Sequence, residues 1–287
     1  MDLKKYVQTL ENLKNRQRGD WIIDALVKMG VAPLVQELHH PAIRNIIVDF
    51  PSEINRFHVL VSAHYDVVKG SPGANDNASG VAVLLGLCQE LKTMQVAVRV
   101  VFFDREEAWL RTPFVKLGLL GSCWYVIKNN IQKLEAAYNL EFVGNGDILA
   151  VWPVKQTAAT LSAVQTIKIA AEKVKVPVHL AHIPWVFLSS DHLAFRLKGM
   201  RNSITISLIP STYQTVMTDF FSKLNVLKMI FTGRPAMPEP LSQLHEKRDT
   251  SQHITEDSMQ LILSVLLEVA KLHHGEGNIQ NSEKCIN

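Results

Sequence analysis

The sequence predicts an α/β protein whose sheet is covered by helices on both faces, a three-layer α/β/α sandwich. Three observations carry that expectation. Strand-like and helix-like segments alternate along the chain. Two of the strands are near-continuous apolar runs instead of alternating ones, as strands buried on both faces require. The 287 residues, 47% of them hydrophobic, are also enough to bury a large core.

The elements follow in order. The opening "MDLKKYVQTLENLKNRQRGDWIIDALVKMG" has an amphipathic helix pattern. "RNIIVDF" (44–50) and "FHVLVSA" (57–63) read as strands, "ASGVAVLLGLCQELKTM" (78–94) as a helix, and "VAVRVVFFD" (96–104) as a buried strand. Then come a helix at 119–130, the strand "AAYNLEFVG" (136–144), another at 147–152, a helix near 157–174 and the strand "NSITISLI" (202–209). The last helix, "TEDSMQLILSVLLEVAKL" (255–272), starts with Thr255 as N-cap and acidic residues in its first turn, where they meet the free backbone N–H groups and the positive end of the dipole. No repeat and no Gly/Ser linker interrupts the chain, so residues 1–287 are read as one domain. Its tail, about 275–287, loses the helical period and is expected to be loose. The Pro-rich "GRPAMPEPLSQLHEKRD" (233–249) is read as an active-site loop.

Composition removes several function classes. The formal charge of +3, from 30 basic and 27 acidic residues with no basic block, argues against nucleic acid. No stretch reaches the roughly 18 apolar residues of a membrane span, and the N-terminus lacks the apolar run of a signal peptide. A cytoplasmic protein is expected. Cys88, Cys123 and Cys285 are odd in number and far apart, which suits reduced thiols better than a disulfide framework, and none is given a role.

Polar residues gather where strands end and loops begin, the place where open α/β sheets bind ligands. His64 and Asp66 follow the strand 57–63, Asp76 precedes a helix, and Glu106 and Glu107 follow the strand 96–104. Glu141 interrupts an apolar strand and His245 follows the Pro-rich loop. Singly, each has an ordinary explanation: a hydrogen-bonded histidine, a helix-capping aspartate, a solvated Glu–Glu pair, an acid on an edge strand. Together they suit a cation, because a carboxylate buried in an apolar strand is costly without one.

In order, "HYD", "GANDNASG", "FFDREE", "GSCWY", "NLEFVG", "SSDHLAF" and "LHEKRDT" make the chain similar, over roughly residues 10 to 270, to the co-catalytic zinc aminopeptidase family. That family includes bacterial leucine-type aminopeptidases and is related to the glutaminyl cyclases. The resemblance implies a zinc-exopeptidase-like sandwich with a mixed, largely parallel sheet, and two zinc ions at the strand ends. Asp76 would bridge them, His64 and Glu141 would complete one metal, and Glu107 and His245 the other. Two Zn²⁺ ions facing three carboxylates and one hydroxide make a neutral cluster, which can be buried, and imidazole with carboxylate suits a catalytic zinc. Asp66 would orient a ligand histidine. Glu106 falls on the general base, taking a proton from the attacking water and passing it to the leaving amine. Asp191 would support the site. The activity implied is removal of the N-terminal residue from a peptide substrate.

The chain departs from the family in three places. Glu141 stands where aspartate is usual, and Leu244 stands where some relatives have Tyr or Trp beside the histidine. The segment "AWLRTPFVKLGLL" (108–120) is longer than in many aminopeptidases and resembles that of the cyclases. Tyr213, in "IPSTYQT", either offers the missing phenol or is a surface tyrosine. Trp109, Phe114, Leu117 and Leu119 either wall a pocket for an apolar side chain or pack against a second copy. A single-zinc glutaminyl-peptide cyclotransferase is the alternative activity, and a non-catalytic binding protein on a peptidase fold is the third reading.

Overall fold

The computed structural model describes residues 1–51, 59–107, 110–111, 116–152, 161–181, 190–222, 237–239 and 241–284. The N-terminal helical pattern divides into α1 (Leu3–Leu10) and α2 (Asn15–Lys28), joined by a turn. An edge hairpin, β1 (Leu34–His39) and β2 (Ala42–Phe50), leads to β3 (Val59–His64), α3 (Ser79–Leu91) and β4 (Val98–Phe103). Two-residue strands β5 (Leu110–Arg111) and β6 (Lys116–Leu117) pair with each other before α4 (Leu120–Lys128). Then follow β7 (Ala136–Leu140), β8 (Ile148–Trp152), α5 (Ser162–Lys173), β9 (Val178–Leu180), α6 (His192–Leu197), β10 (Ser203–Ile209), α7 (Gln214–Ser222) and α8 (Glu256–Lys284).

Eight strands form a mixed sheet in the order β1-β2-β4-β3-β7-β10-β8-β9. The middle of the sheet, β4-β3-β7-β10, is parallel, while β1, β2 and β8 pair antiparallel with a neighbour. Every residue of β3, β7, β8 and β10 is buried, as strands covered on both faces are. Side chains alternate between the two faces. Val59, Val61, Val98, Val100 and Phe102 join the larger core under α1, α3, α5 and α8. Leu60, Val101 and Phe103 point the other way, to Tyr125 of α4 and Phe195 of α6. Helix α3 is buried almost all round, and Gly86 lets it lie close to its neighbours: a Cβ there would stand 3.0 Å from a Leu3 methyl and 3.2 Å from one of Leu263. No described helix is long and apolar enough to cross a membrane.

The parallel register sets the site. His64 is paired with Phe103, and Ser62 with both Val101 and Asn139, so β3, β4 and β7 end side by side at one edge of the sheet. The strand expected over 136–144 stops at Leu140, because Phe142 adopts a left-handed φ of 55°, so Glu141 sits at the strand's end and not inside it. Strand β1 has a mostly exposed pattern, with no apolar run to mark it in the sequence. At α8, the Thr255 hydroxyl accepts the Ser258 N–H (3.3 Å), as the N-cap expectation has it. The helix carries on through the tail expected to be loose, as far as Lys284, there being no proline to stop it.

Candidate metal centre

His64, the last residue of β3, faces acids on both sides of its ring. Its Nδ1 lies 3.1 Å from the Asp66 carbonyl oxygen and 3.4 Å from the Asp66 carboxylate. Its Nε2 lies 3.1 Å from Asp76 Oδ1 and 3.4 Å from Glu141 Oε2. A carbonyl oxygen can only accept, so Nδ1 carries a proton and donates. In the neutral ring Nε2 then turns a lone pair toward two carboxylates, an arrangement that calls for a proton or a metal ion between them. Burial works against a charged His64, but the Glu141 and Glu106 carboxylates outweigh it and hold the imidazole well above its usual range.

Asp76 uses its second oxygen elsewhere. Oδ2 lies 3.2 Å from His245 Nε2, which in turn lies 3.0 Å from Glu107 Oε1. Two groups result, His64–Asp76–Glu141 and Asp76–Glu107–His245, each with donor atoms within 4.8 Å of one another and with Asp76 in common. Burial pushes the Asp76 carboxyl up, and the two imidazoles pull it well below the usual carboxylate range. Burial likewise opposes charge on His245, yet Asp76 and Glu107 lift it to about 10.

The donor set fits zinc. Ligand atoms about 2.0–2.2 Å from a tetrahedral zinc stand roughly 3.3–3.6 Å apart. The contacts of 3.0–3.4 Å here are near that spacing, and imidazole with carboxylate is a usual zinc environment. Burial argues the same way. His64, Asp76 and Glu141 are 1%, 4% and 2% exposed, where unpaired carboxylates are expensive.

The chain positions these side chains through backbone contacts. After β4, Arg105 takes a left-handed φ of 57° and turns the chain, and the Asp66 carboxylate accepts the N–H groups of Glu106 (3.0 Å) and Glu107 (3.1 Å). Asp66 therefore pins the Glu–Glu pair as well as facing His64. The Asp249 carboxylate does the same for the other segment, accepting from Asn75 N (2.7 Å) and Asp76 N (3.1 Å). The helix-capping explanation for Asp76 fails. Asn77 takes that part, its Oδ1 accepting the Gly80 N–H at 3.2 Å while its amide donates to Leu140 O. Glu141 is held through Oε1, which accepts from Ser190 Oγ (2.6 Å) and Asn139 Nδ2 (3.3 Å). Sequence reasoning gave no role to Asp249, Asn139 or Ser190, although each lies inside a motif it quoted.

Glu106 flanks the two groups without joining either. Burial pushes its carboxyl well above the usual range, His64 opposes, and Glu107, Glu141 and Asp191 add to the rise. Asp191 is fully buried, and among the described residues neither of its oxygens has a hydrogen-bond partner. Burial raises it to about 7; His64 and Ser122 act in the opposite direction, although the Ser122 hydroxyl bonds to Leu119 O. Tyr213 stands 37% exposed in the turn after β10, as a surface tyrosine does.

A cavity of about 200 Å³ opens between β8, β10 and α7. Phe142, Trp152, Met217, Phe221, Leu241 and Leu244 line it, and Asn75, Phe142 and Leu244 are the chain neighbours of Asp76, Glu141 and His245. Of the residues expected to wall a pocket, Leu119 lies in the turn before α4, its N–H bonded to Glu106 O. Trp109 and Phe114 fall outside the described residues, and Leu117 is described in its backbone alone.

The family model for "Peptidase family M28" matches residues 45–270. Aminopeptidase YwaD of Bacillus subtilis is 36% identical over 120 residues, which are 35% of this chain and 24% of that protein. The solved structure of a zinc aminopeptidase from Bacillus subtilis superposes with a TM-score of 0.58 at 27% identity, covering 79% of this chain and 49% of that one. Porphyromonas gingivalis glutaminyl cyclase superposes with a TM-score of 0.66 at 20% identity over 94% of this chain and 96% of that chain, a likeness of fold alone. The chain thus spans about half or less of the aminopeptidases it matches.

Proposed function

This chain belongs to peptidase family M28, and from that premise we propose that it is a zinc-dependent aminopeptidase with a two-metal centre. The observation that carries the reading is Asp76, one oxygen turned to each of two donor groups, the first of them fully buried. His64, Asp76 and Glu141 would hold one zinc, and Asp76, Glu107 and His245 the other. Bound there, zinc supplies Lewis-acid polarisation of the scissile carbonyl and an acidified water. Glu106 accepts that water's proton and returns it to the leaving amine, a role supported by a carboxyl whose proton affinity is raised by burial. Asp66 keeps Glu106 and Glu107 at fixed backbone positions. The apolar cavity beside Phe142 and Leu244 receives the side chain of the first residue. A cytoplasmic setting is part of the proposal, supported by the free thiols of Cys88 and Cys123.

The alternative is the single-zinc cyclase, favoured by the full-length likeness of fold to the Porphyromonas enzyme and needing only one of the two donor groups. One preparation separates the two. Zinc per chain is measured, and hydrolysis of amino-acyl anilides is compared with cyclisation of an N-terminal glutamine. Two zincs with hydrolysis support the aminopeptidase; one zinc with cyclisation overturns it.

A further inference from the structure

The match to the peptidase family begins at residue 45, yet the loop joining His64 to Asp76 is gripped from α2, near the start of the chain. Arg18 is 1% exposed, and its guanidinium reaches no carboxylate among its hydrogen bonds. Nε donates to Leu10 O (3.1 Å), Nη1 to Tyr65 O (3.3 Å), and Nη2 to Pro72 O (2.5 Å) with a longer contact to Gly73 O (3.5 Å). Three of those four carbonyls lie in the loop, one between His64 and Asp66 and two just before Asn75 and Asp76. One turn earlier, Asn15 makes a reciprocal pair with Val67: Asn15 Oδ1 accepts the Val67 N–H (3.0 Å) and Asn15 Nδ2 donates to Val67 O (3.3 Å). A planar, fixed fork suits Arg18 to holding several carbonyls at once, which lysine's point charge does not. The loop is tight where it is held. Gly73 has a φ of +60°, and a Cβ there would meet Val67 and the Asp76 carbonyl oxygen at 2.3 and 2.6 Å.

We propose that Asn15 and Arg18 are positioning residues of the metal centre, fixing both ends of the 65–76 loop so that His64 and Asp76 present Nε2 and Oδ1 at ligand spacing before any ion arrives. The inference rests on the two-metal reading above. It assigns a part to a segment outside the matched family region, and it makes α2 more than packing. Groups that orient ligands without touching the metal are typically worth about 10- to 100-fold in metal affinity, and that is the size expected here.

The test uses the full chain stripped of metal. Zinc affinity is measured by competition with a chromophoric chelator, and the melting temperature of the zinc-free protein is measured separately. The proteins are wild type, Asn15→Ala, Arg18→Lys, Arg18→Met and Glu256→Gln. The last is the structural control, because Glu256 ties the Leu3 and Lys4 N–H groups of α1 to α8 and touches nothing in the loop. Asn15→Ala and Arg18→Met should bind zinc about 10- to 100-fold more weakly, with Arg18→Lys between them and wild type. Glu256→Gln should melt lower yet bind zinc like wild type. Should Arg18→Met not fold, Asn15→Ala and Arg18→Lys carry the test. Variants that melt lower while matching a zinc-binding wild type overturn this inference alone; a wild type that takes up no zinc overturns it together with the metal centre.

Discussion

Replacing Glu141 by aspartate draws its carboxylate back by one carbon–carbon bond, about 1.5 Å. In the native site the two oxygens face opposite duties. Oε1 accepts from Ser190 Oγ at 2.6 Å and Asn139 Nδ2 at 3.3 Å, and Oε2 stands 3.4 Å from His64 Nε2 in the first donor group. The shorter acid can keep Ser190 or reach the metal, but not both. A hydrogen bond to a charged group is worth about 1.5–3 kcal/mol, which at about 1.4 kcal/mol per tenfold becomes roughly 10- to 100-fold in zinc affinity. Glu141→Gln keeps the reach and loses the charge, so it should weaken zinc in the same direction. The assay is a zinc titration of the metal-free protein, following both bound metal and anilide hydrolysis, for wild type and the two variants. Three superimposable curves would remove Glu141 from the centre. The remaining group of Asp76, Glu107 and His245 would then favour the single-zinc cyclase.

Glu106→Gln should keep its zinc and its melting temperature while kcat falls at least about 10²-fold; loss of metal in proportion would make Glu106 a ligand and not the base. Asp76→Asn should lower occupancy at both metals and His245→Ala mainly at one, counted as zinc per chain, and equal losses would refute the shared role of Asp76. Acid stability should depend on His192, whose Nδ1 bonds to the Thr205 hydroxyl at 2.7 Å and whose burial, with Arg196 adding to it, pulls the imidazole down to about 3. Because the folded pKa lies below the unfolded value of 6.5, its effect is absent above about pH 6.5. Stability is then lost as the pH falls further, at up to about 1.4 kcal/mol per unit. Melting curves of zinc-free wild type and His192→Gln between pH 7 and pH 4 (about the range where this loss develops) should therefore diverge as pH falls, and parallel profiles would contradict the reasoning.

Strand β4 was legible because a strand buried on both faces writes a near-continuous apolar run, as "VAVRVVFFD" does. Strand β1 was not, because an edge strand with mostly exposed residues has no such run. Four of the donor residues, His64, Asp76, Glu107 and Glu141, could be singled out as polar types beside an apolar strand or helix, whereas His245, in a loop, stood out only through the ordered motifs. Their supports are harder to see from sequence. Asp249 acts through two backbone N–H groups some 173 residues away along the chain, and Arg18 through carbonyls 47 to 55 residues away. Backbone partners leave no mark in the sequence, since every residue carries the same N–H and C=O. The cavity was hard to see in the sequence for a related reason: its walls come from β8, β10 and α7, which the fold alone brings to Phe142 and Leu244.

The acids around the centre fall into three kinds, and the division bears on which ones hold metal. Asp66 and Asp249 each accept a pair of backbone N–H groups, although burial outweighs that help at Asp249 and raises its carboxyl to about 6. Glu106 and Asp191 stand outside both donor groups, and burial raises both carboxyls, that of Asp191 to about 7. Asp76, Glu107 and Glu141 turn oxygens to imidazole nitrogens at 3.0–3.4 Å. Protonated imidazoles could balance those charges, but His64 and His245 are two cations for three carboxylates. Two divalent ions with a hydroxide between them would balance the three and leave the imidazoles neutral, as ligands must be. On this accounting the third carboxylate, Glu141, is what distinguishes a two-metal centre from a one-metal centre, and it is why the substitution there decides between peptide hydrolysis and cyclisation.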